Sequence, residues 1–395
     1  MKLTTSIIIL IFLILSDLLL FHADANAIPA FARRYKISCS TCHAPIPKLK
    51  PYGAEFAGNG FIIPEEEKER DYVTAGDPLL WVNRDFPVAV RFDAYGVYEE
   101  KADIENDLQI PWGIKLLSGG ALYKNIGYYF YFYLSERGKV AGMEDAYLHF
   151  NNLFKQEFDI MVGQFQTSDP LLKRELRLTF EDYRIYTQRI GTSRINLTYD
   201  RGIMLTYGLA KTGTDVVGMI VNGSGIGQAS EVSRKFDNDK YKNFGLRITQ
   251  GIGEIASLGA FYYQGKEMLV DTTGEYKNTV TYLGPDVNVT VGNFEINGQY
   301  LQRTDKNSLF LAGSDKVKTN MLVGELIFAP KKDASRWYLT VLYNKIDSDL
   351  KMANYQTISI SPTYLLARNL RLMAEYSYDT ELEKSRVVVG MISAF

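Results

Sequence analysis

Cys39-Ser40-Thr41-Cys42-His43 is the stretch whose residue types and spacing point most directly to chemistry. It reads C-x-x-C-H, the attachment pattern of a c-type haem. Two thiols at this spacing reach the two vinyl groups of one porphyrin as thioethers. A histidine directly after the second thiol lies beneath the ring, where its imidazole binds the iron from one face. Cys39 and Cys42 are the only cysteines among 395 residues, so no other thiol competes for them. A thioredoxin-like redox pair needs a helix directly after the motif, and Pro45 and Pro47 stand there instead. A structural zinc site takes four ligands, and this stretch offers at most three. The expected cofactor is one covalent haem c, held by Cys39 and Cys42, with His43 as the axial ligand to the haem iron.

The other face of the iron is harder to supply. Between Ile28 and Asp85 there is no methionine and no second histidine. The site is five-coordinate, takes an unusual ligand, or is completed from elsewhere in the chain. Downstream the chain offers one further histidine, His149, in Met143-Glu144-Asp145-Ala146-Tyr147-Leu148-His149-Phe150. Strand alternation sets Ala146, Leu148 and Phe150 toward lipid. Met143, Asp145, Tyr147 and His149 then face the interior of a barrel. His149 is the candidate distal metal ligand, and Met143 ranks below it because it lies nearer the outside. The alternative is an ordinary polar residue of the barrel interior.

Several elements must position this motif. Residues 1–27 read as a secretory signal peptide: Lys2, an apolar run from Ile7 through Phe21, and the cleavage site Ala25-Asn26-Ala27. The alternative is a membrane anchor. Export suits haem c, which is attached outside the bacterial cytoplasm. Residues 28–63 form the monohaem cytochrome segment, with a short helix started by Pro29 and running through Tyr35 and a second over Lys48 to Phe56. Leu49, Tyr52 and Phe56 share a face of that second helix, and Gly58-Asn59-Gly60 ends it. A segment this short covers a haem face but needs a docking surface to fold. Residues 64–86 form a linker with the charge run Glu65 to Asp71.

Residues 87–395 are the expected outer-membrane β-barrel. The 27 Tyr, 21 Phe and 32 Gly suit an exported all-β chain, and a net charge of −2 gives no basic surface for nucleic acid. Segments of about ten residues alternate apolar and polar positions, separated by turns that alternate short and long. They count to about 16 transmembrane antiparallel strands, with 194–210 read as one strand. Gly251 to Glu254 and Ala367-Arg368 are short turns. The segments 167–193, 222–240, 265–278 and 304–317 are expected as long external loops. The first of these, rich in Arg and Glu, either folds inward or stays solvated. Asp237 and Asp239 either bind a cation or make a polar loop tip. The chain closes on Phe395, a terminal aromatic on a last strand. Sixteen strands enclose a lumen wide enough to admit a small domain.

Pro29-Ala30-Phe31-Ala32-Arg33, the C-x-x-C-H, Pro47-Lys48-Leu49, Tyr52-Gly53, Phe56 and Gly60-Phe61 resemble the fused monohaem cytochrome–porins of the bacterial outer membrane, the iron-oxidising outer-membrane cytochrome type. The resemblance is specific over residues 28–61 and architectural beyond. It implies a covalent haem c in a porin-like barrel, on the periplasmic side or within the lumen, and electron transfer across the outer membrane. Implied partners are membrane lipid, a periplasmic c-type cytochrome or other electron carrier, and an extracellular metal ion, iron first. An Fe(II)-oxidising activity follows only if the potential allows it, and the missing methionine bears on that potential. Metal reduction in the opposite direction, and a solute-selective porin gated or sensed by a haem-bearing plug, are the other readings.

Overall fold

The computed structural model of the chain describes residues 30–63, 66, 77, 79, 86–168, 171–272 and 274–395. The signal peptide expected over 1–27 and nearly all of the linker expected over 64–86 fall outside these residues.

Sixteen strands pair in sequence order, each antiparallel to the next, and close into a barrel through β1 and β16. They are β1 (Val88–Glu99), β2 (Asn106–Tyr123), β3 (Ile126–Glu136), β4 (Gly142–Phe150), β5 (Phe158–Gln166), β6 (Tyr199–Leu209), β7 (Thr214–Val221) and β8 (Asn243–Ile252). The second half runs β9 (Ala256–Asp271), β10 (Gly274–Val291), β11 (Phe294–Asp305), β12 (Val317–Phe328), β13 (Trp337–Ser348), β14 (Tyr355–Ala367), β15 (Leu370–Asp379) and β16 (Lys384–Ala394). The seam runs in register from Arg91 opposite Ala394 to Glu99 opposite Arg386. Phe395 continues it: Val90 N–H donates to the Phe395 carbonyl at 2.6 Å, and Phe395 N–H donates to the Val90 carbonyl at 2.8 Å. Closure leaves no unpaired edge.

The alternation is inverted relative to a soluble sheet. Along β14, Ile358, Ile360 and Tyr364 are exposed, while Thr357, Ser359, Ser361 and Thr363 are buried. An apolar outer face with polar residues inside is what a lipid-facing barrel requires. Short connections, at 124–125, 210–213, 253–255, 292–293 and 368–369, lie at one end of the barrel; 171–198, 222–242 and 306–316 start from the other.

Two expectations about strand and loop bounds are corrected. The stretch 265–278 is not an external loop. β9 and β10 go on pairing across it as far as Gly274 opposite Asp271. Its inward residues Glu267 and Asn278 bond to each other at 3.0 Å, and such polar lumen-facing residues give a strand the composition of a loop. The strand expected over 194–210 begins instead at Tyr199, because Ile195 and Leu197 are buried in the core within the lumen.

Residues 171–198 fold inward. Leu178, Ile185, Tyr186 and Ile190 are fully buried. The Glu375 carboxylate on β15 accepts the backbone N–H groups of Phe180 at 2.6 Å and Glu181 at 2.9 Å. Tyr183 donates to Glu325 on β12 at 2.8 Å, and Asn344 on β13 donates to the Asp182 carbonyl at 3.0 Å. Burial alone would raise the Asp182 carboxyl, but Arg177 and Arg174 outweigh it and hold the group at about 2. The segment is therefore clamped across the lumen from β5 to strands on the opposite wall.

Among the described residues, three short helices precede the barrel: α1 (Ala30–Tyr35), α2 (Cys39–Cys42) and α3 (Pro51–Gly58). α3 starts later than expected, since Pro51 takes the first helical position. Leu49 instead forms a bridge with His43, and Tyr52 is exposed rather than part of the apolar face.

Candidate functional site

Residues 30–63 carry a small aromatic core of their own. Phe31 stacks on Phe61 at 5.0 Å and meets Phe56 edge-on at 5.3 Å, while Tyr35 meets Phe56 at 5.6 Å. The barrel extends this core, since Tyr129 on β3 stacks on Phe61 at 4.9 Å.

Polar ties to the wall come from widely separated strands. Asn151, just after β4, donates to the Asn59 carbonyl at 2.7 Å. Tyr338 on β13 donates to the Ile46 carbonyl at 2.8 Å. Lys50 pairs with Asp333 at 2.6 Å, and Lys48 pairs with Glu295 on β11. Arg33 donates to the Val88 carbonyl of β1 at 2.5 Å. The segment thus touches β1, β3, β11 and β13, at the end of the barrel with the short connections. Gly127 of β3 permits the approach, since a Cβ there would lie 2.4 Å from the Gly60 carbonyl oxygen; within the segment, Gly53 lets α3 pack on α2, since a Cβ there would lie 2.2 Å from the Cys42 carbonyl oxygen.

The C-x-x-C-H residues are brought together by α2 and the turn after it. His43 N–H donates to the Cys39 carbonyl at 2.9 Å, and Lys50 N–H donates to the Cys42 carbonyl at 2.8 Å. The His43 Nδ1–H donates to the Pro47 carbonyl at 2.6 Å. This bond fixes the tautomer and leaves Nε2 as the nitrogen available to a metal. Burial pushes the His43 imidazole below its ordinary range, so it is neutral, the form that binds metals. Burial pushes both thiols up, and neither is in a disulfide.

Cys39, Cys42 and His43 line a cavity of about 300 Å³ between this segment and the barrel. Phe31, Leu49 and Phe56 form the near side; Leu117, Tyr129 and Tyr147 form the wall; Glu175 and Leu176 of the inward segment close the far side. Arg91, Lys173 and Arg371 add positive charge to a mostly apolar lining. The volume falls within the range of ligand pockets, ~300–1,000 Å³.

His149 is buried on the inner face of β4 but is not among the residues lining this cavity. Its Nε2 lies 3.9 Å from an Asp159 carboxylate oxygen. Met143 is exposed rather than inward. The register shifts between Tyr131 and Phe132, where Asp145 and Met143 are the respective partners, so Glu144 is an extra residue. Such a bulge turns Met143 to the opposite face. Asp237 and Asp239 tie their own loop. Asp237 accepts from Ser224 at 3.0 Å, and Asp239 accepts from Tyr241 N–H at 2.7 Å and Met268 N–H at 2.9 Å. Among the described residues, no group of three or more His, Cys, Asp or Glu could hold a metal ion.

Sequence reasoning missed Arg371, Tyr131 and Glu175 as cavity residues. Their only signal was inward position on a strand or charge in a loop, which many other residues share.

No protein-family model matches the chain, and no curated protein matches it. Solved structures do. OmpT, an outer membrane protein of Vibrio cholerae, is 13% identical with a TM-score of 0.55, over 79% of this chain and 99% of that one. An anion-selective porin from Comamonas acidovorans is 12% identical with a TM-score of 0.55, over 79% and 99%. The outer membrane channel DcaP of Acinetobacter baumannii is 15% identical with a TM-score of 0.54, over 79% and 97%. At these identities the likeness is one of fold, and that fold is a porin-like barrel.

Proposed function

We propose that the chain is an outer-membrane electron conduit, with one covalent haem c attached through Cys39 and Cys42 and ligated by His43. The observation that carries this reading is the common cavity of the two thiols and the imidazole, with His43 Nδ1 committed to Pro47 and apolar walls on both sides. Adjacent thiols, a neutral oriented imidazole and a largely dry pocket are what a haem c needs from a protein. When bound, the group supplies one-electron chemistry. The chain's own residues orient the axial imidazole, exclude water through the Phe31–Phe56–Phe61 cluster, and hold the segment against the wall.

In this reading the short-turn end is periplasmic, as in bacterial barrels generally. An external donor, Fe(II) first, gives up one electron and becomes Fe(III), and the electron passes to a periplasmic c-type cytochrome or other carrier. Reversed flow, to an extracellular metal, uses the same parts. The distal ligand belongs to the proposal as well: His149 remains a candidate only if the loaded protein moves it toward the cavity.

The fold likeness favours a second reading, a solute-selective porin in which residues 30–63 gate or sense. Against it stand the contacts of 30–63 with β1, β3, β11 and β13 and the inward-folded 171–198. Mass analysis of the purified chain, followed by spectroelectrochemistry with Fe(II) added, tests the first reading. The expected result is the mass of one haem on the peptide containing Cys39 and Cys42, and a redox couple that Fe(II) reduces. A haem-free chain with large solute flux in vesicles would favour the porin instead.

A further inference from the structure

Arg371 stands on β15 with its side chain turned into the cavity, and only 5% of the residue is exposed. Its hydrogen bonds both run from Nη1 to neutral oxygens, 3.3 Å to the Tyr338 hydroxyl and 3.5 Å to the Ile46 carbonyl. Nε and Nη2 make no hydrogen bond among the described residues. No carboxylate among those residues pairs with it. Asp93, whose field it shares, is engaged by Arg91 at 2.8 Å and Lys115 at 3.4 Å. The contrast with Arg303 is informative. Arg303 is an equally buried lumen arginine, and it makes an ion pair with Asp305 at 2.7 Å.

A buried guanidinium is costly unless an anion meets it. Its planar fork of donors matches a carboxylate two-pronged. Tyr338 and Ile46 hold one end of that fork, and the other donors are left to the cavity that Cys39, Cys42 and His43 also line. We propose that Arg371 anchors an acidic substituent of the group that fills this cavity. The inference rests on the haem reading, and there the substituent is a haem propionate.

A cation beside the haem favours the reduced state, since reduction removes one positive charge from the iron. Replacing it therefore lowers the midpoint potential. One unit charge acting over a propionate's length at a protein's effective dielectric changes the reduction equilibrium about tenfold, ~59 mV for a one-electron couple.

The test compares the full-length parent, R371Q, R371K and R336Q by haem mass, visible spectrum and redox titration. Arg336 is an exposed cation at the same end of the barrel and serves as control. R371Q is expected to retain covalent haem and to titrate at lower potential by about the stated shift, while R336Q titrates with the parent. R371K, which keeps the charge but not the fork, falls between. If R371Q does not assemble, R371K carries the test, and a downward shift supports the proposal. Covalent haem in every assembled variant with unchanged potentials overturns the role of Arg371 and leaves the haem reading standing. A parent without covalent haem overturns both.

Discussion

Gly127→Ala should loosen residues 30–63 from the barrel without touching the C-x-x-C-H. Gly127 lies on β3, where an alanine is acceptable to the strand itself. The new Cβ would sit 2.4 Å from the Gly60 carbonyl oxygen, against 3.4 Å or more for an ordinary contact. The Gly60 backbone must therefore retreat by about 1 Å. The neighbouring Asn59 carbonyl, held by Asn151 at 2.7 Å, would move out of hydrogen-bond range. Overpacking of this kind costs ~1–3 kcal/mol, and the lost hydrogen bond another ~0.5–1.5 kcal/mol. Together they lower the ratio of docked to released segment by roughly 10- to 1,500-fold, at 1.4 kcal/mol per tenfold. Hydrogen exchange read by mass spectrometry should show faster exchange over residues 30–63, with β6 to β8 unchanged as the internal control. Unchanged exchange over 30–63 would mean that this contact does not hold the segment, and the reasoning from close approach would fail.

Other expectations follow from the same contacts. If the chain carries the proposed haem, His43→Ala should abolish its axial nitrogen signature while covalent attachment through Cys39 and Cys42 persists. His149→Ala should leave the spectrum unchanged, given its absence from the cavity lining; a change in low-spin character would return His149 to the distal position. Glu375→Gln weakens two charge-assisted bonds to the inward segment, each worth ~1.5–3 kcal/mol. Single-channel conductance in planar bilayers should rise, and parental conductance would show that these bonds do not keep the segment in place. The Asp182 carboxyl is held at about 2, below its unpaired value of 3.8. Its contribution to stability is therefore complete above pH ~4 and is lost as pH falls through ~2. Conductance against pH should show an acid-induced opening in that window, absent in Asp182→Asn.

The barrel was legible because a strand in lipid writes period two into its sequence, as Ile358, Ile360 and Tyr364 do on the outside of β14. The strands blurred wherever the inward residues were polar, since Glu267 and Asn278 look alike in a loop or a lumen. Strand position also hid Met143, because one extra residue at Glu144 reverses the face of everything beyond it. The C-x-x-C-H was legible as a local pattern, and its three side chains do line one cavity. The surrounding cavity was not. Leu117, Tyr129, Glu175 and Arg371 reach it from four separate segments, and only barrel closure decides which of them meet. The inward turn of 171–198 was an open question in the sequence. Its charged residues suit a solvated loop equally well, until Glu375, Glu325 and Asn344 supply partners for them and their neighbours.

Electron transfer across a sealed membrane tests the conduit most directly. The purified protein is reconstituted into vesicles enclosing an oxidised cytochrome c, and Fe(II), kept outside by a chelator that does not cross the bilayer, is added. A conduit predicts reduction of the enclosed cytochrome that is lost when Cys39 and Cys42 are both replaced by alanine, with no parallel leak of small solutes. Solute flux without reduction of the enclosed cytochrome, or reduction that survives loss of both cysteines, would contradict it.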